Sequence, residues 1–154
     1  MAIGEDIEIL SKVALLQGFD TEQLRLLAFG AQKRTLRAGD ELYRQGTPTD
    51  GGFVVISGKI DLVNTIDGNE IVLESCGPGT TIGELALITK TTRISSAIAR
   101  EDTELIRLSR TIFLRVLEEF PELAAQLHQQ ISDTVTDMVE KMDVIRARLE
   151  QQQA

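Results

Sequence analysis

Along the first 31 residues, apolar positions recur at helical spacing. Ile7, Leu10, Val13 and Ala14 mark one face of a helix. Gly18-Phe19-Asp20 breaks the run. Asp20, with Gln23 three residues on, predicts a capping box at the start of a second helix. Leu24, Leu27 and Ala28 form that helix's apolar side. From about residue 32 to 108 the pattern changes to short apolar runs punctuated by glycine, which predicts strands. Phe53 to Ile56 and Lys59 to Val63 read as two strands joined by a tight Ser57-Gly58 turn. Asp67-Gly68-Asn69 predicts a hairpin before Ile71-Val72-Leu73, and Ala97 to Ala99 and Leu105 to Leu108 supply two further strands. Many short strands at this spacing point to a sandwich or barrel. One helical stretch, Glu84 to Ile88, interrupts them. Beyond residue 108 helix returns, with Ser109 as an N-cap and Pro121 at a first helical position. Ile131, Val135, Met138, Met142, Ile145 and Leu149 then follow spacings of four, three, four, three and four, a heptad seam.

Composition narrows the classes. The 154 residues are 42% hydrophobic but only 4% aromatic, so the core must rest on Leu, Ile and Val. The net charge of −8 argues against broad contact with DNA, RNA or an anionic membrane. It leaves room for one small anion held by a single cation. Cys76 is the one cysteine, so no internal disulfide and no zinc spacing exist, and an inert thiol is expected. The N-terminus has no secretory character and no 18-residue apolar run occurs, so a cytoplasmic location without a membrane span is expected.

The most informative segment runs from Gly77 to Ala97. It combines a glycine turn, a short helix opening at Gly83-Glu84-Leu85-Ala86-Leu87, an arginine at 93, and small polar residues entering a strand. Free amides at a helix start attract anions. Gly83 permits close approach of a ligand to the backbone. Arg93 can give two parallel charge-assisted hydrogen bonds to phosphate, and the small Ser95 leaves its own amide accessible. Glu84 would repel a phosphate, so it should face a neutral donor such as a ribose hydroxyl. Anion and hydroxyl together indicate a nucleotide or a sugar phosphate.

Gly83-Glu84-Leu85-Ala86-Leu87 with Arg93 nine residues after Glu84 resembles the phosphate-binding cassette of cyclic-nucleotide-binding domains. That family includes catabolite-activator-type regulators, regulatory subunits of cyclic-AMP-dependent kinase, and cyclic-nucleotide-gated channels. The runs Arg37 to Gly46, Val54 to Ile60 and Leu15 to Phe19 also match the family pattern, and the likeness covers about residues 10 to 145. The resemblance implies an α+β fold. It is an antiparallel β-roll of the double-stranded β-helix or jelly-roll type, with N-terminal helices, a short cassette helix and a long C-terminal helix. Residues 1–120 would form the roll and 121–154 the long helix, a dimerisation coiled coil. The resemblance also implies a ligand set of Gly83, Glu84, Leu85, Ala86, Arg93, Ile94 and Ser95. In it Glu84 takes the ribose 2′-hydroxyl, Arg93 takes the cyclic phosphate, and amides from Gly83 to Ala86 and at Ser95 complete the cradle. Three positions depart from the pattern. Thr92 stands where many members have Pro, Ile94 where cyclic-GMP-selective members have Thr, and Met138 where a base-contacting Thr is found in the catabolite activator.

Plainer readings exist for several of these residues. Glu84 and Arg93 could form a structural ion pair. His128 stands apart from other metal-type ligands, and Met138 and Met142 read as packing. No catalytic constellation stands out, so an enzyme is not expected. The expected function is a regulatory domain that senses a cyclic nucleotide, cyclic AMP (cAMP) in preference to cyclic GMP (cGMP), without further cofactor or metal. Output would pass through the C-terminal helix to a second copy or to an unknown downstream partner. With no segment for a helix-turn-helix, direct DNA binding is not expected. The alternative is a dimeric interaction scaffold that has lost nucleotide binding.

Overall fold

In a computed structural model the protein is described over residues 3–153; the side chains of residues 3–5, 131, 134, 135, 138, 149, 152 and 153 lie outside that description. The helices are α1 (Ile3–Ser11), α2 (Thr21–Phe29), α3 (Arg110–Glu119) and α4 (Pro121–Gln153), with 3₁₀ turns at Ala14–Leu16 and Leu85–Leu87. The strands are β1 (Gln32–Leu36), β2 (Glu41–Tyr43), β3 (Gly51–Ser57), β4 (Ile60–Ile66), β5 (Asn69–Cys76), β6 (Thr81–Ile82), β7 (Ser96–Ala99) and β8 (Thr103–Ser109). They form two four-stranded antiparallel sheets, ordered β1-β8-β3-β6 and β2-β7-β4-β5. The expected α+β antiparallel roll is the observed architecture.

Two cores flank the first sheet. Phe53, Val55, Ile60, Leu62, Cys76, Ile82, Ala97, Ala99 and Leu105 fill the space between the sheets. On the other side, Val54, Ile106 and Leu108 pack against the helices through Leu10, Leu16, Leu27, Phe113, Leu123 and Leu127. Strands β3 and β8 are therefore covered on both faces, which explains the unbroken apolar run from Phe53 to Ile56.

Local signals act as expected at two places. Asp20 accepts from the Gln23 amide at 2.8 Å, and Gln23 returns the contact at 2.9 Å, so the capping box is present. Asp67 adopts φ 54° between the paired residues Ile66 and Asn69, the twist that a two-residue hairpin loop demands. Two readings hold and gain detail. The Ser57-Gly58 turn joins β3 and β4, but these strands belong to different sheets, so the turn is a crossing between layers. Ser109 occupies the N-cap of α3 without a side-chain capping bond; the Arg110 amide donates to the Asp50 carbonyl instead, at 2.9 Å.

Helix α4 is 33 residues long, a span of about 50 Å. Leu123 and Leu127 anchor its first turns in the helical core. Farther along, Val139 and Val144 are exposed while Met142 and Ile145 are half-buried. Ile131, Val135, Met138 and Leu149, the rest of the expected seam, have side chains outside the described residues. No helix among the described residues is long and apolar enough to cross a membrane.

Gly58 carries a specific demand. Its φ is +94°, and a Cβ there would lie 2.4 Å from Thr103 Oγ1 and 2.5 Å from the Asp102 carbonyl oxygen. Gly58→Ala should cost about 2 kcal/mol or more and lower the melting temperature by roughly 4 °C or more. Gly77→Ala, where a Cβ meets nothing within 4 Å, should leave it unchanged. Calorimetric melting of the two variants checks the contrast.

Candidate functional site

Arg93 is brought to its place by backbone pairing between two loops. Its amide donates to the Thr47 carbonyl at 2.8 Å, and its carbonyl accepts from Gly46 at 2.8 Å. Thr49 and Thr91 pair in the same way, through amide and hydroxyl, and Pro48 bridges to Thr92. The loop after β2 thus zips onto the loop before β7 and delivers the arginine inward.

The side chain is buried, 7% exposed. Its Nη2 donates to the Gly51 carbonyl at 3.0 Å. Its guanidinium carbon lies 4.1 Å from the centre of the Tyr43 ring and 5.8 Å from that of Phe53. Stacking of this kind replaces part of the lost hydration. Tyr43 is itself stacked on Phe53 at 6.3 Å, and the Ser95 side chain acts on its hydroxyl. Burial pushes the Tyr43 phenol up to about 12, against the opposing pull of Arg93, so it stays neutral. Burial lowers the Arg93 pKa; Tyr43 and Asp50 favour the charged form, while Arg110 and Arg107 oppose it. Asp50 also accepts a hydrogen bond from Arg107. A buried cation with two other arginines acting on it is a place where an anion gains strongly.

Beside it is a cavity of about 500 Å³, within the usual range for small-molecule pockets. All seven expected site residues line it: Gly83, Glu84, Leu85, Ala86, Arg93, Ile94 and Ser95. Glu84 is half-buried and also borders a second cavity of about 310 Å³. Gly83, at φ +76°, would put a Cβ 2.5 Å from Arg93 Nη1, so only glycine lets the guanidinium edge come this close. Ile94 is 48% exposed.

The expected cassette helix from Glu84 to Ile88 is only a single 3₁₀ turn, Leu85–Leu87. One turn has little aligned dipole, so the helix-start argument for anion binding falls away. The Ala86 amide already donates to the Gly83 carbonyl at 3.1 Å. The positive field in the cavity comes instead from Arg93. Arg110 fixes the turn from below: it donates to the carbonyls of Ala86, Thr89 and Thr49, and to the Thr49 hydroxyl.

The sequence reading missed Tyr43, Thr49, Leu62, Glu74 and Val139, which also line the cavity. They come from β2, β4, β5, α4 and a loop, and only the roll brings them together. Glu74 carried a usable signal: it sits two residues before the buried Cys76, on the same face of its strand.

A family model described as the cyclic nucleotide-binding domain matches residues 33–120. This chain belongs to that family. The domain is similar to a cyclic nucleotide-binding-like protein from Brucella abortus, with 47% identity and a TM-score of 0.66, covering 74% of this chain and 98% of that one. It is 30% identical to the cyclic AMP receptor protein of Thermus thermophilus over 132 residues, 85% of this chain and 61% of that protein. It is also 33% identical to lysophospholipase nte1 of Aspergillus fumigatus over 107 residues, 69% of this chain and 7% of that enzyme. The domain therefore spans less than two thirds of the length of these two curated relatives. What it shares with the lysophospholipase is a small part of that enzyme.

Arg93 is held by a carbonyl and two rings, and its burial lowers its own pKa. Arg93→Leu should leave the melting temperature of the ligand-free domain within about 2 °C of the parent, since an apolar replacement of a buried charge is often neutral. Affinity for a phosphate-bearing ligand should fall about 100-fold, the worth of two charge-assisted hydrogen bonds. Thermal melting and titration calorimetry on the same samples read both; a large melting loss with unchanged affinity would make Arg93 structural.

Proposed function

We propose that the domain is a cyclic nucleotide sensor, with cAMP preferred over cGMP, and that it works by binding rather than by catalysis. The observation that carries this is the buried guanidinium of Arg93, stacked on Tyr43 and set against Gly83 at the wall of a cavity of about 500 Å³. The cyclic phosphate meets Arg93 and the Ser95 amide. The ribose hydroxyl meets Glu84. No further cofactor or metal takes part. Preference for adenine is supported by Ile94, which offers no hydroxyl to a guanine, and by the Thermus thermophilus relative named for cAMP.

The signal leaves through α3 and α4. Arg110, the first residue of α3, holds carbonyls of the cassette turn, so a shift of that turn pulls on the helix. A ligand biases such a shift only by its differential affinity for the two arrangements. Val139 and Val144, exposed on α4, support an output through helix–helix contact, as a homodimer or with an unknown downstream partner in the cytoplasm. The lost-binding scaffold is a second reading, favoured by the missing hydroxyl at Ile94.

Calorimetry with cAMP, cGMP and plain AMP separates the two readings. We expect cAMP to bind more tightly than cGMP and AMP to bind weakest; no heat from either cyclic nucleotide at millimolar concentration would leave only the scaffold. For α4, sedimentation should show a dimer that Met142→Lys dissociates, and a monomeric parent would remove the dimer.

A further inference from the structure

Tyr43 reaches the cavity through an irregularity of its strand. Glu41 of β2 pairs with Ile98 of β7, and Tyr43 pairs with Ala97, so two steps along β2 match one along β7. Strict alternation would put Tyr43 on the same face as the exposed Glu41. The bulge at Leu42 instead sets Tyr43 opposite Ala97, which is fully buried between the sheets. Bulges of this kind re-aim a side chain and concentrate beside functional sites. Tyr43 accordingly packs against the inner core and lines the cavity.

Three contacts constrain the Arg93 guanidinium. Its Nη2 donates to the Gly51 carbonyl at 3.0 Å. Its Nη1 stands so near Gly83 that a Cβ there would lie 2.5 Å away. The Tyr43 ring lies against its face, 4.1 Å from ring centre to guanidinium carbon. A hydrogen bond at one nitrogen still lets the plane of the group tilt. A flat ring against that plane removes the freedom and leaves the remaining N–H groups for the cavity. A fork fixed beforehand loses less on meeting an anion than one that must first be ordered. The ring is held in turn by its stack on Phe53. Its hydroxyl is acted on by the Ser95 side chain, so Tyr43 bears on both groups assigned to the phosphate.

We infer that Tyr43 is a positioning residue that holds the plane of the Arg93 guanidinium and so presents its free N–H edge to the phosphate, a role that rests on the proposed sensing of cyclic nucleotides. The role concerns the anion contact and is independent of the base.

Tyr43 is the only tyrosine in a chain without tryptophan, so ultraviolet difference spectra report on the stack directly. In the ligand-free chain, Arg93→Leu should shift the tyrosine spectrum. An unchanged spectrum means that the stack is absent in solution, and it overturns the assignment whatever the chain binds. Titration calorimetry then compares cAMP with adenosine, which carries no phosphate. Tyr43→Leu should weaken cAMP roughly tenfold, the worth of a desolvated guanidinium stack, and leave adenosine unchanged. Tyr43→Phe keeps the ring and should recover most of that loss. In an Arg93→Leu background, Tyr43→Leu should have no further effect on cAMP, since the two residues act as one unit. A merely structural role would weaken both ligands alike and would persist without Arg93. Either of those results, or a Tyr43→Leu chain that binds cAMP as the parent does, overturns the role of Tyr43 alone. A parent that binds no cAMP overturns the sensor reading itself, and this role with it.

Discussion

Strands β3 and β8 are covered on both faces over most of their length, and much of the molecule is arranged around that constraint. Phe53, Val55 and Leu105 point into the roll, while Val54, Ile106 and Leu108 point at the helices. Burying both faces of a sheet needs cover on each side. The second sheet supplies one cover; α1, α2, α3 and the first turns of α4 supply the other. Each fully buried Val, Leu or Ile contributes about 1.5–3 kcal/mol, which makes many medium-sized contacts sufficient in a chain with few aromatics. The same pair of strands carries the site's supports. β3 begins at Gly51, whose carbonyl receives Arg93, and includes Phe53, on which Tyr43 stacks. β8 runs directly into Arg110, which grips the cassette turn.

The site is a case of one cation solvated by protein. Water is replaced by a carbonyl, a tyrosine face and a phenylalanine ring, and nearby arginines keep the environment positive. A charge held this way pays little reorganisation when an anion arrives. Rigidity follows from the zipped loops, since residues 46, 47, 49, 91 and 93 are tied by backbone hydrogen bonds. The cassette turn is too short to act by its dipole, so the work of attracting an anion falls to the guanidinium. Arg110 then links that cavity to the helices that leave it.

Much of this was legible in the chain. The capping box at Asp20 and Gln23 and the hairpin at Asp67-Gly68 depend on residues two or three apart, so local chemistry decides them. The cassette was legible for the same reason: Gly83, Glu84, Arg93 and Ser95 lie within thirteen positions of one another. The helix expected from Glu84 to Ile88 is a 3₁₀ turn, Leu85–Leu87, and Arg110 holds its Ala86 carbonyl and the Thr89 carbonyl just beyond it. Ser109 stands at the N-cap of α3 without a side-chain capping bond, and the Arg110 amide after it is taken by the Asp50 carbonyl, a group far away in sequence.

By itself the sequence determined the succession of helix, strand and helix, the tight turns, and the arginine-bearing cassette, since each is written in contacts between near neighbours. Tertiary structure decided which strands share a sheet, that Ser57-Gly58 crosses between layers, and that Tyr43, Leu62, Glu74 and Val139 surround the ligand cavity. Those facts depend on pairings between residues far apart along the chain, such as Leu62 with Ala97 and Thr47 with Arg93. Periodicity reports which face of an element is apolar. It does not report what that face will meet.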